Sequence, residues 1–218
     1  NCDKGYWRGD WLVRTLNPKQ RPINEEILNR MNIGRRYWSA SMGDFDECVM
    51  KTTARSFFSK LQENYNGGWG LFIWGANGVG KTHLSCALLK EIQKTGYSTY
   101  CIPADALKVA YIEPKMFDED NTILSRVRSV DFLLLEDLGK EYSGKGSGFA
   151  ELCFENLIRE RSRELRPTIV TTNLDPASFK ARYQNSAASL AMECMIAIEM
   201  KGSDRRAKLA QDKKQDYK

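Results

Sequence analysis

Apolar residues along the chain occur in two patterns, short apolar segments and longer stretches at helical spacing. Strands are predicted for WGLFIW (69–74), YSTYCI (97–102), DFLLLEDLG (131–139) and PTIVTTN (167–173). The first and the last two are continuous apolar runs, which are typical of strands buried on both faces. Helices are predicted over about 46–64, over 81–94, near 104–112 and 121–129, and over 149–165. Strands that alternate with helices at these lengths indicate an α/β fold with a parallel sheet.

The two ends of the chain carry less pattern than its middle. Residues 1–45 mix Trp, Arg, Asn and Pro without a sustained period, so we expect an extended arm with one short helix near NEEILNRM. SGKGSG at 143–148 predicts a flexible loop. Residues 201–218 contain seven Lys or Arg against three Asp, which is either a solvated end or a contact for nucleic acid.

Composition is that of a globular protein of one or two domains, with 218 residues, 42% hydrophobic and 28% charged. No apolar run approaches the roughly 18 residues of a membrane span, and no signal peptide is evident, so we expect a cytoplasmic protein without a membrane partner. The six cysteines are scattered and are interpreted as reduced thiols. Cys2 is the exception, because the segment CDKGYW is either ordinary sequence with a reduced thiol or the last fragment of a zinc ribbon.

The segment GANGVGKT at 75–82 carries the most specific chemistry. It satisfies GxxxxGK[ST] between a predicted strand and a predicted helix, which is the context of a phosphate-binding loop. Its backbone N–H groups are expected to point at phosphate oxygens near the helix N-terminus. Lys81 is expected to reach the β- and γ-phosphates of ATP, and the Thr82 hydroxyl to ligate Mg²⁺. The predicted cradle is Gly75, Ala76, Asn77, Gly78, Val79, Gly80, Lys81 and Thr82.

Two further predicted strands end in the polar residues that a triphosphate site requires. Four apolar residues lead to Glu136 and Asp137. We assign Glu136 to the metal shell and Asp137 to the attacking water, and the longer side chain of Glu136 leaves an exchange of these roles open. Asn173 closes the last predicted strand, where it either orients the attacking water and senses the γ-phosphate or simply ends the strand.

With these motifs in this order, the chain resembles the DnaC/DnaI helicase loaders and the related IstB transposition ATPases, a branch of the AAA+ superfamily. The resemblance covers about 33–207 and rests on IGRRYWSASMGDF, GVGKTHL, LLLEDLGKE, RPTIVTTNLDP and IEMKGSDRR. It implies a P-loop three-layer sandwich with a central parallel sheet. We therefore expect an arm or linker at 1–45, an AAA+ ATPase domain at 46–207 and a basic tail at 208–218.

The resemblance also assigns roles in nucleotide binding or hydrolysis. It places Lys81 and Thr82 in Walker A, Glu136 and Asp137 in Walker B, Asn173 at sensor 1, and Arg206 at a weak sensor 2 facing the γ-phosphate. His83, the only histidine, falls in the GKTHL stretch of the nucleotide site, and packing or capping is its alternative role.

One departure concerns an arginine. Between RYQ and MEC, where loaders usually carry an arginine that reaches the ATP of the neighbouring subunit, this chain reads NSAASLA. A trans arginine stabilises transition-state charge, so its loss depresses hydrolysis. Either an arginine of RERSRELR substitutes for it, or the protein is a weak ATPase that a partner stimulates, and we favour the second.

The implied function is an ATP-dependent loader that self-associates into an oligomer, binds a hexameric replicative helicase and delivers it to single-stranded DNA in replication initiation. Alternatives are a transposition helper ATPase on duplex DNA and a nucleotide-binding adaptor with negligible turnover. GYWRGDWLVRTLNP, with Tyr6, Trp7 and Trp11, either binds the partner or packs on the core. Candidate DNA contacts are Lys108, Lys115, Arg126, Arg128, Lys140 and Lys145.

Overall fold

The computed structural model describes residues 6–8, 11–13, 22–45, 49–112, 123–140 and 147–206. The first two pieces are the backbones of a short antiparallel pair, β1 (Tyr6–Arg8) and β2 (Trp11–Val13). The aromatic side chains of that pair, most of the predicted SGKGSG loop, Lys115, Lys145 and the basic tail lie outside the described residues.

A five-stranded parallel sheet forms the centre of the fold. It runs in the order β4-β5-β6-β3-β7, with strands β3 (Gly70–Gly75), β4 (Thr99–Pro103), β5 (Phe132–Leu138), β6 (Thr168–Thr172) and β7 (Met195–Met200). The four predicted strands are confirmed as β3 to β6. The apolar pattern does not predict β7, because it is an edge strand with exposed side chains at Ile196, Ala197 and Glu199.

Helices cover both faces of the sheet and complete a three-layer α/β sandwich. One face carries α1 (Glu25–Arg30), α2 (Val49–Ser59), α3 (Leu61–Gly67) and α4 (Lys81–Lys94). The other carries α5 (Ala104–Ile112), α6 (Ile123–Ser129), α7 (Ser147–Arg163), α8 (Pro176–Arg182) and α9 (Gln184–Glu193). In the part of the chain that the structure describes, no helix combines the length and the apolar character of a membrane span.

Alternation along each strand fills two separate cores. In β3, Leu71 and Ile73 pack under the α4 face and Phe72 packs under the α7 face. The period of two explains why continuous apolar runs predicted these strands, since both faces are covered by helices.

The prediction of one helix over about 46–64 is wrong in part, because the structure has two helices that meet at Lys60. The side-chain amide of Asn64 donates to the carbonyl oxygen of Phe57 at 2.8 Å. That carbonyl would otherwise accept the N–H of Leu61 in a continuous helix, so the side chain replaces a helical bond at the break. The second helix ends at Gly68, in the left-handed conformation (φ 71°), as the NGG signal predicts.

Residues 22–45 contain the predicted short helix as α1, but they pack on the core instead of extending away from it. Leu28, Met31 and Phe45 are buried in the core on the α4 face. The carbonyl of Met31 accepts the N–H of Cys101 at 2.8 Å, so this segment also covers the edge strand β4. The division of the chain into arm, ATPase domain and tail stays a prediction.

Arg161 of α7 is fully buried and ties that helix to the amino-terminal edge of the sheet. Its guanidinium donates to the carbonyl oxygens of Val127, Val130 and Pro167 at 2.8, 3.0 and 2.7 Å, and to Thr168 Oγ1 at 2.9 Å. Burial lowers its pKa to about 9, which leaves it charged at neutral pH. The cation therefore donates to several buried carbonyl groups at the turns before β5 and β6, including that of Pro167, which also accepts the N–H of Leu133.

Replacing Arg161 with Met should destabilise the fold by about 3–5 kcal/mol, because it removes the buried guanidinium that donates to the carbonyl oxygens of Val127 and Val130 and to Thr168 Oγ1. Urea unfolding followed by circular dichroism measures the change. Arg159→Met is the matched control, since Arg159 is exposed on the same helix and pairs with Glu155. The control should shift stability by less than about 0.5 kcal/mol, and equal effects of the two substitutions would contradict the assigned role.

Candidate nucleotide-binding site

The predicted site residues meet at the carboxyl edge of the sheet. β3 runs directly into the loop at 75–80, β5 ends with Glu136 and Asp137, and Asn173 follows β6. Lys81, the first residue of α4, donates from Nζ to Asn173 Oδ1 at 2.7 Å, which joins two motifs 92 residues apart. Parallel strands place their carboxyl ends at one edge, so this convergence follows from the topology.

Glycine is required at both ends of the 75–80 loop by backbone geometry. Gly75 has φ 149°, and a Cβ there would lie 2.3 Å from the carbonyl oxygen of Met200 on the neighbouring strand β7. Gly80 has φ 104° and is the N-cap of α4. Positive φ at these positions turns the chain sharply enough to bring loop amides to the N-terminus of α4, where a phosphate group fits.

Lys81 is buried and donates hydrogen bonds to three oxygen atoms from two parts of the chain. Its Nζ donates to the carbonyl oxygens of Gly75 and Ala76 at 2.9 and 2.8 Å, in addition to Asn173. Burial is the main cause that lowers its pKa, Asp137 opposes the shift, and the charges of Lys140 and Arg206 act with burial. The role of Arg206 toward the γ-phosphate stays a prediction.

Glu136 points into the layer between the sheet and α4, where Cys86 Sγ donates to its Oε1 at 3.9 Å and the Thr82 side chain is close enough to lower its pKa. Burial raises the pKa of Glu136 to about 7, while hydrogen bonds from Cys101, Thr82 and Cys86 oppose the shift. The Thr82 hydroxyl and the Glu136 carboxylate thus form an oxygen pair beside the phosphate loop. Oxygen ligands of this kind suit Mg²⁺.

The side chain of Asp137 points in a different direction from that of Glu136. It has φ 56°, within a register shift between Leu135 and Leu138. Its N–H donates to Thr171 Oγ1 at 3.0 Å, and its carboxylate pairs with Lys140 Nζ at 3.0 Å. The left-handed conformation and the irregular pairing direct this carboxylate away from the layer that Glu136 enters.

The C-terminal residues of the described chain lie on the phosphate loop. The N–H of Arg205 donates to the carbonyl oxygen of Gly78 at 3.1 Å, and a Cβ on Gly78 (φ 78°) would strike the Asp204 carboxylate. The N–H of Arg206 donates to Asp204 Oδ1 at 2.8 Å. The Arg205 guanidinium sits 4.8 Å above the ring of Phe45. This segment joins the phosphate loop to residues 41–45.

His83 contacts that same N-terminal segment. Its Nε2 lies 2.6 Å from Asp44 Oδ2, and its ring meets the rings of Phe45 and Tyr37 edge-on. The hydrogen bond to His83 is the main cause that lowers the pKa of Asp44. These contacts fit a packing role, and a role in nucleotide binding stays a prediction.

Sequence reasoning missed the side-chain partners in this region. They are Asp44, Phe45, Asp204 and Arg205, together with Lys90, which donates to the carbonyl oxygens of Tyr37 and Trp38. Asp44, Phe45, Asp204 and Arg205 stand in the motifs SMGDF and GSDRR, which is their only signal, and Lys90 has none. Periodicity does not pair residues so far apart in sequence.

The candidate DNA contacts do not all project freely from the surface. Arg126 stacks 5.4 Å above the Tyr100 ring, Arg128 pairs with Glu160 at 2.9 Å, and Lys140 pairs with Asp137. Lys108 lies on α5 and is partly exposed. Their role toward DNA stays a prediction.

The arginines of RERSRELR lie away from the phosphate loop. Arg161 is buried at the opposite edge of the sheet, Arg166 donates to the carbonyl oxygen of Ser129 there, and Arg159 pairs with Glu155. NSAASLA lies in α9, where Ala187 and Ala188 are buried and Ser189 is exposed. Burial excludes Arg161 as a substitute for the trans arginine.

Solved structures with this architecture define the class of protein. The crystal structure of the DnaC helicase loader is 27% identical, with a TM-score of 0.67 over 77% of this chain and 100% of that chain. That of DnaI is 24% identical, with a TM-score of 0.65 over 79% of this chain and 94% of that one. AMPPCP-bound DnaA from Aquifex aeolicus shares the fold at 22% identity and a TM-score of 0.57, over 85% of this chain and 56% of DnaA. The fold is that of an AAA+ P-loop domain.

A match along most of the sequence shows the family of this chain. The IstB-like ATP binding protein family matches residues 49–197, and the chain belongs to that family. The replicative helicase loader DnaI of Bacillus subtilis (strain 168) is 24% identical over 172 residues, which are 77% of this chain and 53% of DnaI. The chain thus spans about half the length of this curated relative.

Gly75→Ala should weaken the binding of a fluorescent ATP analogue by at least about tenfold, because the new methyl group would meet the Met200 carbonyl and distort the loop. Fluorescence anisotropy measures the affinity. Gly148→Ala is the control, since among the described residues no atom outside the neighbouring backbone of α7 lies within 4 Å of its Cβ position. Unchanged affinity in a folded Gly75→Ala protein would contradict the geometry of the cradle.

Proposed function

We propose that the protein is an ATP-dependent helicase loader, which binds a hexameric replicative helicase and delivers it to single-stranded DNA. The observation that supports it most is the convergence of Lys81, Thr82, Glu136 and Asn173 at one sheet edge, in a domain whose fold and sequence resemble DnaC and DnaI. Under this proposal, ATP binding is the switch and the proteins work as an oligomer.

The residues at the sheet edge fit ATP and Mg²⁺. Lys81 would exchange the carbonyl oxygens of Gly75 and Ala76 for the β- and γ-phosphates, and Thr82 with Glu136 would hold Mg²⁺. Bound Mg²⁺ would neutralise charge on the phosphates. Asp137 would orient the attacking water once its carboxylate leaves Lys140. Asn173, released from Lys81, would report the γ-phosphate.

Weak turnover is part of the proposal. Asp137 is engaged by Lys140, and α9 carries no arginine that could serve a neighbouring subunit. A partner that supplies a positive charge would stabilise the transition state. We therefore propose that helicase or single-stranded DNA stimulates hydrolysis.

Phosphate release tests the function directly. Wild-type protein should turn over slowly alone and faster with single-stranded DNA or with a candidate hexameric helicase, and Lys81→Ala should lower the stimulated rate by about a hundredfold or more. Lys180→Ala, on the exposed surface of α8, is the matched lysine control and should keep the rate. Stimulation by duplex DNA alone would favour a transposition helper, which the family match to IstB-like proteins also supports. Partner binding that depends on ATP without phosphate release would favour an adaptor.

The roles of the two acids can be separated by binding and turnover. Glu136→Gln should reduce the dependence of nucleotide affinity on Mg²⁺, because it removes a proposed metal ligand. Asp137→Asn should preserve that dependence and lower turnover by about a hundredfold, because it removes the carboxylate that orients water. The reverse pattern would exchange the two assignments.

A further inference from the structure

Two buried cysteines lie directly behind the Walker B glutamate. Cys86 Sγ, Cys101 Sγ and a carboxylate oxygen of Glu136 all lie within 4.8 Å of one another. The two cysteines are 0% and 2% exposed, respectively. The proposed ATP chemistry uses Glu136 and assigns no role to either thiol.

The fold brings these three groups together from three elements. Cys86 is one helical turn after Thr82 on α4, so both side chains face the sheet. Cys101 on β4 is registered with Leu134, two residues before Glu136, so it shares the face of the sheet that Glu136 occupies. The Cys86 thiol donates to Glu136 Oε1 at 3.9 Å.

We propose that Cys86, Cys101 and Glu136 form a binding site for a thiophilic divalent cation of the Zn²⁺ class. Tetrahedral Zn²⁺ with Zn–S near 2.3 Å and Zn–O near 2.1 Å separates sulfur from oxygen by about 3.6 Å and the two sulfurs by about 3.8 Å. The 3.9 Å distance between Cys86 and Glu136 therefore needs to contract by a few tenths of an ångström. Water or the Thr82 hydroxyl would complete the four ligands.

Two thiolates and one carboxylate are ligands that disfavour Mg²⁺, the cation of the proposed ATP site. Thiolates are soft ligands that favour Zn²⁺ and related ions, whereas Mg²⁺ requires oxygen ligands in octahedral geometry. Binding requires both thiols as thiolates, so each bound ion releases two thiol protons to the solvent. The partly exposed Glu136 and Thr82 face the phosphate loop, which gives the ion a route from the nucleotide site to the thiols.

Glu136 belongs both to the proposed site with Cys86 and Cys101, called here the thiol site, and to the proposed Mg²⁺ site with Thr82. A carboxylate that ligates the soft cation is withdrawn from Mg²⁺, so the soft cation should weaken Mg²⁺-dependent nucleotide binding. This consequence rests on the proposed nucleotide function, whereas the thiol site itself does not.

Cadmium titration tests the site without reference to nucleotide. The full chain with Cys2→Ser and Cys48→Ser serves as background, and all remaining thiols are first counted as reduced with a thiol reagent in denaturant. One equivalent of Cd²⁺ should produce an ultraviolet thiolate-to-cadmium charge-transfer band. Cys86→Ala and Cys101→Ala should each lower Cd²⁺ affinity by more than about tenfold. Cys153→Ala, which removes a buried thiol of α7 in the other half of the fold, should leave the band intact.

Two results would overturn the proposal. One is the absence of a band in the folded background protein, and the other is a band that persists in both Cys86→Ala and Cys101→Ala. Circular dichroism establishes that each variant is folded. Glu136→Gln provides a variant with both thiols intact. It should lower the affinity for Cd²⁺ while preserving the thiolate-to-cadmium band.

A second measurement separates the thiol site from the nucleotide function. One equivalent of Zn²⁺ should weaken binding of a fluorescent ATP analogue with Mg²⁺ in the background protein and should not in Cys101→Ala. Equal weakening in both proteins would place Zn²⁺ at the Mg²⁺ position and overturn the coupling. Failure to bind nucleotide at all would overturn the proposed function, while the cadmium band still decides the thiol site.

Discussion

The buried ammonium group of Lys81 is the constraint on which the rest of the site depends. A cation that is 6% exposed must find oxygen acceptors inside the protein, because it has lost most of its water. It finds them on the carbonyls of Gly75 and Ala76 and on the amide of Asn173. These bonds hold the phosphate loop, the start of α4 and the end of β6 in one arrangement. Phosphate oxygens can replace the acceptors without moving the amine far, which makes the arrangement ready for an anion.

The period of two along β5 decides where the two acids go. Leu134 faces α4 and Leu135 faces the opposite core, so Glu136 must again face α4. That position brings its carboxylate to Thr82, and it also brings it to Cys86 and Cys101. Burial makes the charged form of this carboxylate costly, so any cation that reaches it gains a strong ligand. Asp137 is not drawn into the same layer, because the strand has a register shift and a left-handed backbone conformation at that residue.

The elements that sequence could predict are those with local causes. Apolar runs covered by helices specify β3, β5 and β6, and the glycine loop specifies its own turn and the start of α4. The edge strand β7 lacks such a run, and the break between α2 and α3 depends on one side-chain amide, that of Asn64. The contacts of His83 with Asp44 and of Arg205 with Asp44 span 39 and 161 residues. No local pattern encodes these pairings, because they arise only when the whole sheet has assembled.

The arginines of the chain show how the two edges of the sheet differ. Arg161 satisfies carbonyl groups at the amino-terminal edge, where it is fully enclosed and supports the fold. At the carboxyl edge, the charges of Lys140 and Arg206 act on Lys81, and the carboxylates of Glu136, Asp137 and Asp204 lie at the same edge. The carboxyl edge therefore carries charges of both signs, with Lys81 at the cradle and the carboxylate of Glu136 beside it. Under the proposed function, a triphosphate in the cradle would engage Lys81, and a partner molecule would supply the further positive charge that stabilises the transition state.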